Sequence, residues 1–173
     1  YSGAHPNPDD WRRDPDLGGG ALYDMGVYPI NAARYATGRE PIAVKGRLWS
    51  EREEMYSEVP EFATFELRFR DGVTARGETS FGKATNYLDV ECTDGSYQLR
   101  PFQTYSGVRG RTSDGTQLPP AGGDKQARQM DNDARAILNG TAPVVPGTEG
   151  LADIRIVRAI MESSESGETW VDL

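Results

Sequence analysis

Through the middle of the chain apolar and polar residues alternate one for one. Ile42, Val44 and Leu48 alternate with Ala43, Lys45 and Arg47. Ala63, Phe65, Leu67 and Phe69 alternate with Thr64, Glu66, Arg68 and Arg70, and Val73, Ala75, Thr79 and Phe81 alternate with Thr74, Arg76, Glu78 and Ser80. A period of two puts each set on its own face of a pleated strand, so these runs predict half-buried β-strands. Asp71-Gly72 lies between two of them, and an Asp-Gly pair accepts the positive φ angles that a tight hairpin requires. Asp94-Gly95 divides Leu88, Val90 and Cys92 from Tyr97 and Leu99 in the same way, and Asp114-Gly115 predicts a third turn. The pattern reads as an antiparallel meander forming one open sheet, apolar on one face and charged on the other.

At both ends the spacing becomes helical. Leu22, Met25, Ile30 and Ala33 form the apolar side of a helix over 20–37, with Asp24, Tyr28, Asn31 and Tyr35 on its polar side and Gly38 as its stop. Pro29 lies inside it. Proline has no N–H to offer the Met25 carbonyl and disfavours helical geometry in the residue before it, which predicts a kink or a restart at Tyr28. Near the C-terminus Ala127, Met130, Ala134, Ile137 and Leu138 predict a helix stopping at Asn139-Gly140. Leu151, Ile154, Val157, Ile160 and Met161 predict a second, with Thr148 as N-cap and Gly167 as its end. Trp170 to Leu173 reads as a short last strand. The expected class is α+β, an open and predominantly antiparallel sheet with helices packed on one face.

Composition narrows the partners more than the fold. A length of 173 residues suits one domain spanning 1–173. The net charge of −8, with 16 Arg and only 3 Lys, repels nucleic acid and anionic membranes, so neither is expected as a partner. An acid-rich, Lys-poor surface is consistent with a salt-adapted or GC-rich source. No apolar run approaches the roughly 20 residues of a membrane span. The single Cys92 has no partner for an internal disulfide, which fits a reducing cytoplasm. With one Cys and one His most zinc patterns are excluded, and no metal site is expected. Asn139-Gly140-Thr141 reads as a turn rather than a glycosylation site. Tyr1-Ser2-Gly3-Ala4-His5-Pro6 has neither an initiator Met nor a basic or apolar leader, and reads as the middle of a longer protein.

Candidate chemistry concentrates between Trp11 and Tyr35. Gly18-Gly19-Gly20 opens the first helix, a place where backbone N–H groups can cradle a phosphate. A dinucleotide fingerprint, however, needs a preceding strand and G-x-G-x-x-G spacing, and neither is present. The glycines read instead as a tight turn or a close backbone approach, and the chain carries no nucleotide-binding domain of its own. Asp24 and Tyr28, four apart, project from one helical face. Spacing alone leaves two readings open. In one, the Asp is favoured by the helix dipole and the Tyr packs on the sheet with a wet hydroxyl. In the other, the pair positions a substrate and moves a proton. A free phenol has a pKa of about 10, so the second reading needs a cation nearby, and no Lys or His is close in sequence. His5 reads as an exposed residue of the lead-in arm.

The stretch from Trp11 to Pro41, with its core W-R-R-D-P-D-L-G-G-G-A-L-Y-D-M-G-V-Y, resembles the C-terminal-domain signature of the Gfo/Idh/MocA oxidoreductases. The final A-P-V-V-P-G-T-E-G-L-A-D-I-R-I-V-R-A-I-M-E-S-S-E-S-G-E is similar to that family's last helix and its approach. The resemblance implies an N-terminal Rossmann domain, absent from this chain, that binds NADP or NAD and supplies a catalytic Lys. It implies that Asp24 and Tyr28 occupy the catalytic Asp and His/Tyr positions, with Tyr28 taking a proton from a sugar or polyol hydroxyl as hydride leaves for the nicotinamide. Asn31 falls where relatives place a substrate-contacting residue, and Arg12 and Trp11 are expected to line the substrate pocket. The resemblance further implies a homo-oligomer through the sheet face and an isolated chain without turnover; the charged face here (Glu66, Arg68, Arg76, Glu78) suits either pairing with itself across a two-fold axis or contact with water. The rival expectation is a non-catalytic ligand sensor or assembly domain of the same family.

Overall fold

The computed structural model describes residues 3–119 and 122–173. Its element order is β1 (Ala43–Trp49), β2 (Phe62–Arg68), β3 (Thr74–Ser80), β4 (Leu88–Cys92), β5 (Gly95–Leu99), β6 (Gly110–Thr112), β7 (Gln117–Leu118) and β8 (Val171–Asp172). The α-helices are α1 (Val27–Thr37) before β1, and α2 (Lys125–Asn139) and α3 (Gly147–Glu165) before β8. Two compact units result, one made of the chain up to Thr85 together with Ala152–Leu173, the other of Asn86–Leu151.

The first unit is built on an antiparallel sheet of order β3-β2-β1-β8. The predicted alternation holds along β2 and just beyond it, where Ala63, Phe65, Leu67 and Phe69 are buried while Arg68 and Arg70 face water, but Ile42 is exposed and Ala43 and Ser80 are buried, the reverse of their expected faces. The Asp71-Gly72 hairpin forms with both residues at positive φ, 62° and 77°, and its ladder pairs Phe65 with Gly77 and Leu67 with Ala75. Against the apolar face lie Leu22, Ile30 and Ala33 from the first helical segment and Ile156, Val157, Ala159 and Ile160 from α3. Each fully buried Leu, Ile or Phe contributes roughly 1.5–3 kcal/mol, so this layer is the main source of stability in the unit. A smaller cluster of Ala21, Tyr56, Val59 and Phe81 sits beside the start of the first helical segment.

Gly46 lets α3 approach the sheet backbone. A Cβ there would lie 2.5 Å from Ile160 Cγ2, while the Gly46 N–H donates to Ser163 Oγ at 3.0 Å. Gly46→Ala is expected to lower stability by about 1–3 kcal/mol through overpacking, read as a drop in thermal midpoint. An unchanged midpoint would mean that helix and strand approach less closely.

The second unit carries the other sheet, of order β4-β5-β6-β7, whose turns are centred on Thr93-Asp94 and Ser113-Asp114, one residue before the expected Asp-Gly pairs, with Gly95 opening β5. The strands are antiparallel and the class is α+β, but the single expected meander is divided into two four-stranded sheets. The break follows β3, where Ser80 Oγ accepts from the N–H groups of Gly82 and Lys83 at 2.7 Å each and turns the chain out of the ladder. α2 is capped by Asp124, which accepts from Gln126 and Ala127, and by the left-handed Gly140. Met130, Ile137 and Leu138, which set its helical spacing, are 70%, 80% and 84% exposed. Helical spacing reports which residues share a side, not whether an apolar partner covers them. Thr148 lies inside α3 rather than capping it.

Candidate active site

The first helical segment does not start as an α-helix. Leu22–Gly26 forms a π-turn, and α geometry begins at Val27, one residue before the expected restart. Pro29 offers no N–H to Met25, so the backbone can widen ahead of it without losing a bond it would otherwise keep. Asp24 sits in this wide turn and Tyr28 in the first turn of α1. The Asp24 side chain is 12% exposed, whereas Tyr28 is 47% exposed. The Tyr28 hydroxyl has no hydrogen-bond partner among the described residues, Asp24 included.

The glycine run is occupied by the protein itself. The N–H groups of Gly18, Gly19 and Gly20 donate to the carbonyls of Pro15, Asp14 and Arg12, at 3.3, 2.8 and 2.8 Å, and the Ala21 N–H donates to Pro60 O at 2.9 Å. A Cβ on Gly19 would lie 2.7 Å from the Arg12 and Asp14 carbonyl oxygens. Close approach to the arm is therefore what requires glycine here. A pyrophosphate would have to displace these bonds, so the run does not fit a dinucleotide.

That approach fixes the arm over the π-turn. Trp11–Arg13 and Pro15–Leu17 form two short 3-10 turns capped by Asp10 and Asp14, whose carboxylates accept from the N–H groups of Arg12 and Asp16. Arg12 Nε donates to Asp24 Oδ2 at 3.1 Å, and Arg12 Nη1 donates to Asp10 Oδ1 at 3.5 Å. The His5 ring nitrogen lies 3.2 Å from Asp10 Oδ2 and its ring meets Phe81 edge-on at 4.7 Å, so His5 is not the exposed arm residue expected. The hydrogen bond from the Arg12 N–H, aided by the charges of His5 and Arg12, outweighs burial and holds the Asp10 carboxyl below its ordinary value. Trp11 is 41% exposed, with the Arg12 guanidinium over its ring at 4.5 Å. The network leaves Asp24 with one oxygen anchored, while Oδ1 accepts no hydrogen bond from the described residues.

Asn31 points to α3. Its amide donates to Asp153 Oδ2 at 3.0 Å, and Asp153 Oδ1 accepts from Arg34 Nη1 at 2.7 Å. Arg34, 6% exposed, also forks onto Glu40 at 2.8 and 2.7 Å, and these hydrogen bonds hold the Glu40 carboxyl below its ordinary value. Sequence reasoning missed this cluster, because Arg34 and Asp153 are 119 positions apart and nothing local couples them. The Arg12–Asp24 contact was equally hidden, although Asp10-x-Arg12 carries a local capping signal.

A family model described as the GFO/IDH/MocA C-terminal domain matches residues 1–98. The chain is similar to D-xylose 1-dehydrogenase (NADP(+)) of Haloarcula marismortui, 32% identical over 171 residues, covering 95% of this chain and 47% of that protein. It is 34% identical over 170 residues to D-xylose 1-dehydrogenase (NADP(+)) 2 of Haloferax volcanii, covering 92% and 50%. Among solved structures, the aldose-aldose oxidoreductase from Caulobacter crescentus complexed with glycerol matches with a TM-score of 0.92 at 32% identity, over 100% of this chain and 53% of that one. Levoglucosan dehydrogenase in complex with NADH and levoglucosan shares the fold, with a TM-score of 0.77 at 23% identity over 98% of this chain and 55% of that one. The chain spans about half the length of the curated relatives it matches.

Proposed function

The chain belongs to the Gfo/Idh/MocA family, and from that membership we propose that it is the C-terminal, substrate-binding domain of a nicotinamide-dependent oxidoreductase acting on an aldose or polyol hydroxyl. The observation that carries the reading is a half-exposed phenol, Tyr28, one turn beyond a carboxylate that the protein holds at one oxygen only. Oxidising a secondary or anomeric hydroxyl removes a proton from oxygen and a hydride from carbon. Tyr28, as the phenolate that a Lys of the Rossmann domain would stabilise, takes the hydroxyl proton, and Asp24 Oδ1 accepts a hydrogen bond from a substrate hydroxyl and orients it. Trp11 offers an apolar face to the sugar ring, whereas the Asn31 amide is engaged by Asp153 and Arg12 reaches the site through Asp24. The hydride acceptor is assigned to NADP or NAD held by a Rossmann domain outside residues 1–173, with NADP favoured because both D-xylose 1-dehydrogenase relatives are named for it. The isolated chain is expected to be inactive.

The charged outer face of the first sheet, where Arg76 and Glu66 pair across strands at 3.4 Å, is the proposed surface for a homo-oligomer. No helix among the described residues is long and apolar enough to cross a membrane, and the proposed location is the cytoplasm. The test is formation of reduced nicotinamide by the complete protein with NADP or NAD and a panel of aldoses and polyols. Turnover confined to sugars supports the reading. A flat trace across the panel with cofactor bound would favour a ligand sensor.

A further inference from the structure

Asp24 stands in the π-turn Leu22–Gly26, an irregularity of the kind that recurs at functional sites, and its side chain gains no restraint from Tyr28. What holds it is Arg12, and Arg12 is itself held on three sides. Its Nε meets Asp24 Oδ2, its Nη1 meets Asp10 Oδ1, and its guanidinium plane covers the Trp11 ring. Asp10 is fixed in turn by the Arg12 N–H at 3.0 Å and by His5. The Arg12 carbonyl accepts from Gly20, so the backbone of Arg12 is tied to the residues that lead into the π-turn. A planar fork that donates from Nε and Nη1 in two directions is arginine chemistry that a lysine reproduces only in part.

We infer that Arg12 is a positioning residue for Asp24, which fixes the carboxylate at Oδ2 and so presents Oδ1 to the substrate, and that it influences turnover only through Asp24. The inference rests on the role given to Asp24 above, and it differs from the expected role of Arg12 as a lining residue of the pocket. A residue that touches substrate and one that acts through Asp24 predict different mutational coupling.

The experiment is a double-mutant cycle in the complete protein with Arg12→Ala, Asp24→Asn and the pair, measuring kcat and KM separately and the thermal midpoint of each variant. Arg12→Ala is expected to lower kcat/KM about tenfold to a hundredfold, the worth of one charge-assisted hydrogen bond. Its division between kcat and KM should match that of Asp24→Asn, and the double variant should be no worse than Asp24→Asn alone. Arg12→Lys should retain part of the activity, and millimolar guanidinium should restore part of it to Arg12→Ala. Losses that multiply in the double variant would overturn the inference, since Arg12 would then act on substrate independently. So would a loss that follows the thermal midpoint and is repaired by neither Lys nor guanidinium, which is the signature of a structural role alone. An unimpaired Asp24→Asn is a separate failure. It removes Asp24 from the proposed function, and this inference falls with it.

Discussion

Tyr28→Phe in the complete protein is expected to lower kcat by about 10²–10⁴-fold, the usual contribution of a positioned general acid–base. Fold and cofactor affinity should stay close to wild type. The substitution removes one oxygen from a side chain that is 47% exposed and whose hydroxyl bonds no described residue, so no buried partner is orphaned. The ring remains, and with it the packing at the start of α1. KM should change much less than kcat, because what is lost is made in the transition state rather than in the ground state. Steady-state kinetics beside a thermal melt would read this directly. Unchanged turnover would remove Tyr28 from the mechanism, whatever the substrate proves to be.

Arg52→Ala is expected to lower stability by about 3 kcal/mol. Its partner Glu61 is 1% exposed and accepts from Arg52 Nε at 2.7 Å and from the N–H groups of Glu51 and Arg52 at 3.0 Å each. Removing the guanidinium leaves a buried carboxylate with only its backbone donors, a loss typically worth 3–5 kcal/mol. Arg52 also donates to the Phe81 carbonyl at 3.1 Å, so the 50–60 loop would come away from the end of β3. That loop ends in Pro60, whose carbonyl accepts from Ala21, and the damage should therefore reach the segment that carries Asp24. Urea denaturation of wild type and variant would measure it. A loss below about 1 kcal/mol, within the range of ordinary surface pairs, would show that water reaches Glu61.

The same pair sets the response to acid. Burial raises the Glu61 carboxyl, but the hydrogen bonds from the Arg52 side chain and from the N–H groups of Arg52 and Glu51 outweigh it and bring Glu61 below its ordinary value. A carboxyl held low in the folded state stabilises above its unfolded pKa of about 4, and that stability is lost as pH falls through the folded value. Asp10 and Glu40, also held low, act in the same direction. Stability should therefore be flat near neutrality and fall below about pH 4. Glu61→Gln should be less stable at neutral pH yet lose less on acidification, as urea midpoints at neutral and acidic pH would register. An equal acid loss in the variant would assign the effect to other carboxylates.

The strands, most of their inward and outward residues and, to within a residue, the hairpin turns at Asp71-Gly72, Asp94-Gly95 and Asp114-Gly115 are set by neighbours in the sequence. So are the approximate helix spans and the candidacy of Asp24 and Tyr28. These features depend on a period of two or 3.6 residues or on φ preferences, which act over a few residues. Tertiary structure decided what depends on contacts between distant segments. It divided the meander after Ser80 and left Met130, Ile137 and Leu138 uncovered on a helix whose periodicity is otherwise regular. It decided what the expected close approach at Gly18–Gly20 closes on, by bringing the Arg12 and Asp14 carbonyls within reach of their N–H groups. It paired Arg12 with Asp24, Arg52 with Glu61 and Arg34 with Asp153. A charged side chain does not encode its partner locally, because an ion pair is favourable wherever folding happens to place opposite charges out of water. The identity of the chemical groups is therefore written in the chain, while their anchoring is a property of the fold.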